Sequence, residues 1–287
     1  MKIETHKDPS PSIGRIIICD EWAGNIDMAR KVIDAVCKSY PTNVKTKFLM
    51  TCGGFLTFDL PEKFVEIKNS KEPEKEIIEE IIEEAEKVID IFLSVELLEK
   101  LKACTHYLTL GIDSSTQNYI PGTYVELVVL VDVIKKQYHC KNQYHWTGKS
   151  YPTSWQEKTL IRIPDLNTHF FSSEYGKVMI LGCHDLTMFN DRNLKNTGEW
   201  RKNIKEKFRE LARREKPIYV LQHPHTTTKV KTWYNCWKKL EEILPSVKEY
   251  AGCGRYYEED SKKDKIEDVL KKTKKGSTID FIISQLS

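Results

Sequence analysis

The residues from Gly176 to Asn190 read G-K-V-M-I-L-G-C-H-D-L-T-M-F-N and set a thiol, an imidazole and a carboxyl side by side at Cys183, His184 and Asp185. Val178 to Leu181 is an apolar run of the length of a buried strand, too short for a helix. The three polar residues therefore fall where a strand runs into a loop, a rigid support for groups that must meet a ligand. A thiol among polar groups and backbone N–H donors ionises more readily than the reference thiol near about 8.5, and the thiolate is the nucleophilic form. The chain has eight cysteines, at positions 19, 37, 52, 104, 140, 183, 236 and 253. Cysteine is a commonly buried residue type, so only its neighbours single out Cys183.

Two further constellations carry chemistry. His184, Asp185, His223 and His225 are all of metal-ligand type, and the two histidines of Gln222-His223-Pro224-His225, two apart after a strand, share one side. A hydrolytic metal site needs three or more such groups to converge, and the spacing matches no compact motif such as H-E-x-x-H. The alternative is that His223 and His225 line one pocket with Cys183, because both loops leave strand ends. Between positions 134 and 160 lies a dense set of polar and aromatic side chains: Tyr144, His145, Trp146, Lys149, Tyr151, Trp155 and Glu157. No regular period organises them, which predicts a long functional loop. Trp146-Thr147-Gly148-Lys149-Ser150 has the tail of a phosphate-binding loop, but Gln143 stands where its first glycine is required, so nucleotide binding by that route is rejected.

The elements that must position these groups alternate. Strands are predicted at 15–19, 47–51, 107–112, 124–133, 178–181, 218–221 and 278–283. A helix capped by Asn25 and ended near Pro41 follows the first of them. A long amphipathic helix is predicted within 67–102, with Ile77, Ile78, Ile81, Ile82, Ala85, Val88, Ile89 and Phe92 on one face. Further helices are predicted at 200–214, 231–243 and 263–275. Such alternation argues for an α/β layered domain with sheet inside and helices outside. No linker-like break or internal repeat divides the chain, which predicts a single domain over 1–287, with residues 1–12 a loose N-terminal arm.

Composition bounds the function class. Apolar residues make up 40% of the 287 and charged residues 30%, enough for a sizeable core, while the net charge of +3 gives no general case for nucleic acid. Scattered cysteines without a C-x-x-C pair, no apolar leader and no run approaching the ~20 residues of a membrane span predict a soluble cytoplasmic chain with reduced thiols and no membrane partner.

Taken together, these segments resemble the nitrilase superfamily, the carbon–nitrogen hydrolases. I-I-I-C-D-E-W-A-G-N-I-D-M-A-R-K-V-I resembles that family's opening strand and first helix, and G-K-V-M-I-L-G-C-H-D-L resembles the segment around its catalytic cysteine. H-W-T-G-K-S-Y-P resembles its lysine segment, with Lys149 34 positions before Cys183. The resemblance implies an α-β-β-α sandwich, Cys183 as nucleophile, Lys149 as oxyanion support and Glu157 as auxiliary carboxylate. It also implies a small amide or nitrile substrate attacked through a thioester, no cofactor and no metal, and a homodimer. Trp146, Tyr151, His184, Asp185, His223 and His225 then line the binding site.

One departure bears on the chemistry. The family's first catalytic glutamate, the base for the cysteine, would stand at Cys52 or Gly53 in F-L-M-T-C-G-G-F-L-T-F. Glu21, Asp59 and Glu126 are the carboxylates that would replace it. Without a replacement, the fold would be that of a binding protein that has lost catalysis. A metal-dependent hydrolase using His184, Asp185, His223 and His225 is the further alternative.

Overall fold

A computed structural model of the chain describes residues 1–64, 72–115, 123–135, 143–190, 198–257 and 262–286. Cys140, the start of the helix predicted within 67–102, and parts of the loops around 113–123, 134–160 and 190–198 lie outside these residues.

Two sheets form the interior. The first contains β1 (Lys2–Lys7), β2 (Ile13–Ile18), β3 (Thr46–Met50), β4 (Leu56–Asp59), β5 (Thr105–Ser115), β6 (Glu126–Asp132), β7 (Tyr144–Gly148) and β13 (Thr278–Ser284), in the order β1-β13-β2-β3-β5-β6-β7, with β4 pairing the far half of β5. The second contains β8 (Phe170–Ser173), β9 (Gly176–Leu181), β10 (Tyr219–Gln222), β11 (Glu249–Gly252) and β12 (Lys274–Lys275), in the order β12-β11-β10-β9-β8. The central strands of each sheet run parallel.

The two-residue side-chain period of a strand explains why the sheets stack. Phe48 and Met50 of β3, Val128 and Leu130 of β6, Val178 and Ile180 of β9, and Tyr219 and Leu221 of β10 form one buried cluster between the sheets. Their alternates face outward. Ile16, Ile18, Leu49, Leu108, Leu110 and Val129 pack against α1 (Ile26–Ser39), α2 (Lys75–Phe92) and α3 (Val95–Cys104). Met179, Leu181 and Val220 pack against α4 (Glu199–Glu215) and α5 (Val230–Ile243). The result is an α-β-β-α sandwich. Between its sheets the buried Arg15 guanidinium donates to Asp280 of β13 at 2.7 Å, to the Leu270 carbonyl at 2.9 Å and to the Gly252 carbonyl of β11 at 3.3 Å. α6 (Ile266–Lys272) is shorter than the helix predicted over 263–275, because the chain turns at Thr273 into β12.

Local signals behave as expected at several points. Asn25 Oδ1 caps α1 by accepting from the backbone N–H of Asp27 (2.9 Å) and Met28 (3.2 Å). Three expectations differ. The amphipathic stretch is two helices, not one, because Ser94 leaves the helix and its hydroxyl caps α3 by accepting from Leu97 N. The segment 134–160 contains the strand β7, an edge strand whose mixed polar and aromatic residues mask the two-residue period. Residues 1–12, expected as a loose arm, include β1, which pairs antiparallel with β13. Its side chains are almost all exposed, so backbone hydrogen bonds hold it and its sequence carries no apolar period.

Candidate active site

The strands of the first sheet set three charged groups in a row. Asp113 of β5 and Glu126 of β6 are direct cross-strand partners. Lys149, just after β7, donates its backbone N–H to the Glu126 carbonyl at 2.9 Å. Glu126 shares its face of β6 with Val128 and Leu130, so by the strand period the row lies between the two sheets. The second sheet supplies the opposite wall. β9 and β10 are parallel neighbours, with Leu181 opposite Gln222, so both carboxyl ends open at the same point. They deliver Cys183 on one loop and His223 to His225 on the other. Crevices beyond the carboxyl ends of parallel strands are common ligand sites in α/β folds.

At this point the Cys183 sulfur, a Glu126 carboxylate oxygen and a His225 ring nitrogen all lie within 4.8 Å of one another. The Lys149 ammonium donates to both Glu126 oxygens, each at 2.9 Å, and Gln156 Nε2 donates to Glu126 Oε1 at 3.1 Å. His225 Nε2 is bound to Asp113 Oδ2 at 2.5 Å, and its Nδ1 lies 3.9 Å from Glu126 Oε2. Lys149 and Cys183 are 1% and 8% exposed, while the His225 side chain is 28% exposed and opens the cluster to solvent.

Burial sets the electrostatics. It raises the Glu126 carboxyl above the usual carboxylate range, opposed by the positive charges of His225 and Lys149. Burial alone would lower the His225 imidazole, but the Asp113 carboxylate and the Cys183 sulfur outweigh it and hold His225 well above the ordinary histidine value. His184 moves the other way. Burial and the nearby Lys149 push it down to about 4, so it is a neutral imidazole at neutral pH.

The turn that carries Cys183 is fixed by Asp185. This fully buried carboxylate accepts from the backbone N–H of Gly182 (3.0 Å), Ser150 (3.1 Å) and Tyr151 (2.8 Å), so it ties the loop after β9 to the loop after β7 that holds Lys149. Gln222 Nε2 donates to the Cys183 carbonyl at 3.0 Å. His223, buried behind the site, donates from Nδ1 to the Thr51 carbonyl at 2.7 Å, and burial pushes it down to about 4.

Of the other residues singled out above, Tyr151 is buried against Arg201, whose guanidinium stacks 4.1 Å from the ring centre. Glu157 pairs with that same Arg201 at 2.9 Å. The carboxylate on Lys149 is Glu126, and Glu21 and Asp59 are exposed. Trp146 turns toward the helical layer, its indole N–H donating to Glu86 of α2 at 3.0 Å. Among the described residues His184, Asp185 and His223 do not join His225 in a converging group of ligand atoms, and Asp185 already accepts from three backbone N–H groups. Glu126, Cys183 and His225 are the ligand-type groups that converge among the described residues, but a divalent cation there would sit against the Lys149 ammonium 2.9 Å from Glu126 and the raised His225 imidazole. Two positive groups already occupy the role a cation would play.

Sequence reasoning did not reach Asp113 or Gln156. Asp113 closes the run Y-L-T-L-G-I-D, but its partnership with Glu126 is a matter of register between strands separated by a loop, which a sequence does not display.

The segment at the missing glutamate has its own shape. The chain leaves the sheet between β3 and β4 at Thr51–Phe55, next to Gly111. A side chain at Gly111 would meet the Cys52 carbonyl at 2.3 Å. At Gly53 a Cβ would meet the His223 carbonyl at 2.9 Å and His225 Cε1 at 3.4 Å, and at Gly54 (φ +62°) it would meet Asp113 Oδ2 at 2.9 Å. The His225–Asp113 pair lies against the positions where a glutamate side chain would start.

The layers and the site define an α/β sandwich with a thiol-centred charged cluster at one end of its two sheets. No family model and no curated protein sequence matches the chain. Among solved structures it is similar to Saccharomyces cerevisiae Nit3, a member of branch 10 of the nitrilase superfamily, at 13% identity over 88% of this chain and 78% of that one, with a TM-score of 0.49. It is also similar to the glutamine-dependent NAD+ synthetase of Acinetobacter baumannii (13% identity, 88% of this chain and 39% of that one, TM-score 0.43) and to an N-terminal amidase (12% identity, 84% and 53%, TM-score 0.41). The α-β-β-α layering rests on the chain's own sheets and core clusters. Among the described residues, no helix is long and apolar enough to cross a membrane.

Proposed function

We propose that this chain is a cysteine-dependent hydrolase of carbon–nitrogen bonds, acting on a small amide or nitrile through a thioester on Cys183. The observation that carries this reading is the convergence of Cys183 with the buried Lys149–Glu126 pair. A thiolate that attacks an amide carbon creates an oxyanion, and a desolvated ammonium held on Glu126, whose carboxylate lies within 4.8 Å of the thiol, stabilises that charge more than it would in water. Glu126 holds the Lys149 ammonium by both oxygens. It thereby supplies a carboxylate beside the lysine, which the sequence segment at Cys52–Gly53 lacks. Glu157 shapes the wall by holding Arg201 on Tyr151, close enough for Arg201 to act on His184. The pairing of two protomers implied by the sequence resemblance belongs to the same reading.

A panel of small aliphatic and aromatic amides and nitriles, followed by ammonia release, tests it. The expected result is turnover of at least one member that falls by about three orders of magnitude or more in Cys183→Ser. Turnover that persists in Cys183→Ser overturns the reading.

A further inference from the structure

We propose that His225, held by Asp113, is the group that carries the proton to and from Cys183, in place of the glutamate absent at Cys52–Gly53. The proposal rests on the reading of Cys183 as nucleophile.

Three features of the site carry it. The first is the order of the groups: carboxylate, imidazole, thiol. Nε2 of His225 is taken by Asp113 Oδ2 at 2.5 Å, which leaves Nδ1 for the cluster formed with Cys183 and Glu126. A base oriented by a third group and set beside the nucleophile is the arrangement by which weak nucleophiles are activated, and it is recognised by geometry rather than by position in the sequence. The second is how Glu126 is engaged. Both of its oxygens accept from Lys149 and one also accepts from Gln156, so three of its roughly four acceptor sites are directed at donors other than the thiol. The third is space. A Cβ at Gly54 would come within 2.9 Å of Asp113 Oδ2, and one at Gly53 would touch His225 Cε1 at 3.4 Å, so the space beside Cys52 where a glutamate side chain would lie borders the histidine pair.

At rest the Cys183 proton sits on His225 Nδ1, giving a thiolate beside an imidazolium paired with Asp113. The thiolate forms a C–S bond to the amide carbon as the carbonyl π pair moves to oxygen beside Lys149. The C–O π bond re-forms, the C–N bond breaks, and the Nδ1 proton goes to the departing nitrogen. Water then adds to the thioester as His225 takes its proton. The C–S bond breaks, and the carboxylic acid leaves with Cys183 as the thiolate.

The groups that face His225 are Cys52 from the turn after β3, Asp113 from β5, Glu126 from β6, Cys183 and His184 from the loop after β9, and Arg255, whose guanidinium donates to the His225 carbonyl at 3.3 Å. The test is the alkylation rate of Cys183 by iodoacetamide, read by peptide mass spectrometry on the full chain from pH 5 to 9. In the wild type we expect rapid alkylation persisting to about pH 6. In His225→Gln we expect a rate there lower by about tenfold or more, with Asp113→Asn between the two. A slow wild-type rate at pH 6, an unchanged rate in His225→Gln, or an Asp113→Asn rate no lower than wild type overturns the proposal. A second measurement needs no variant. The His225 ring is titrated by NMR before and after Cys183 is alkylated, and loss of the sulfur as a partner lowers its midpoint. An unmoved midpoint overturns the proposal. If the dyad signatures hold while no amide or nitrile is turned over, the hydrolase reading fails and the dyad stands.

Discussion

At the scale of the residue, the site is a set of buried polar groups of opposite sign packed against one another. Lys149 and Glu126 are 1% and 7% exposed, and neither is stable there alone. Replacing Lys149 by Met leaves the Glu126 carboxylate without its cation. Urea unfolding is expected to show a loss of about 3–5 kcal/mol, partly recovered when Glu126→Gln is added. An unchanged midpoint for Lys149→Met would mean that the pair is not buried as described. The histidines predict a pH dependence with a definite sign. His184 and His223 are pushed down to about 4 in the folded chain, below the unfolded value near 6.5. The unfolded chain therefore binds more protons between these limits. The stability these residues contribute is present above about 6.5 and is lost as pH falls toward 4, at up to about 1.4 kcal/mol per pH unit for each group. His225 acts oppositely. Its folded value is raised, so its contribution is present below about 6.5 and lost as pH rises through that raised value. Thermal melts of His223→Asn, which keeps a donor for the Thr51 carbonyl, should show a flatter decline from pH 6.5 to 4. An unchanged slope would show that His223 does not titrate in the folded chain as described.

At the scale of the element, strand ends decide what meets what. Lys149 and Cys183 were legible in the sequence because each follows a short segment with a family-like pattern, and Glu126 was legible as a charge within an apolar run. Asp113 was not, because its place beside His225 follows from the pairing of β5 with β6 and from two loops of different sheets meeting. The strand β7 was hidden by its aromatic residues, and β1 by its exposure. An α/β layering was readable from the alternation of helices with apolar runs such as Ile16–Ile18 and Val178–Leu181, since strands buried on both faces are apolar throughout, whereas the two-sheet form came from the family resemblance. Gly182 shows how narrowly the strand ends are fitted. A Cβ there would meet Asp185 Oδ2 at 2.9 Å and the Lys149 backbone at 3.2 Å. Gly182→Ala must push the Cys183 turn and the Lys149 loop apart. It is expected to cost about 1–3 kcal/mol in denaturant unfolding and to slow the alkylation of Cys183. A variant as stable and as reactive as wild type would contradict the contact.

At the scale of the whole molecule, the two sheets supply opposite sides of one charged cluster. The first holds the acids and the lysine in a row, and the second brings the thiol and the imidazole to face them. Hooks between the sheets keep that register: His223 to the Thr51 carbonyl, Gly53 N to the Pro224 carbonyl at 3.1 Å, and Asp185 to the loop after β7. The fold thus sets Cys183 and Lys149 on facing sides of a cluster that opens to solvent at His225, the placement the proposed reaction requires of a nucleophile and its oxyanion support. The most direct test of this account is to trap the covalent intermediate. The full chain is incubated with a small amide or nitrile that it turns over, quenched in acid, and mapped by peptide mass spectrometry. The account predicts an acyl group on Cys183, released by hydroxylamine and missing in Cys183→Ala, which also loses turnover. Turnover without an adduct on Cys183, continuing in Cys183→Ala, would contradict it.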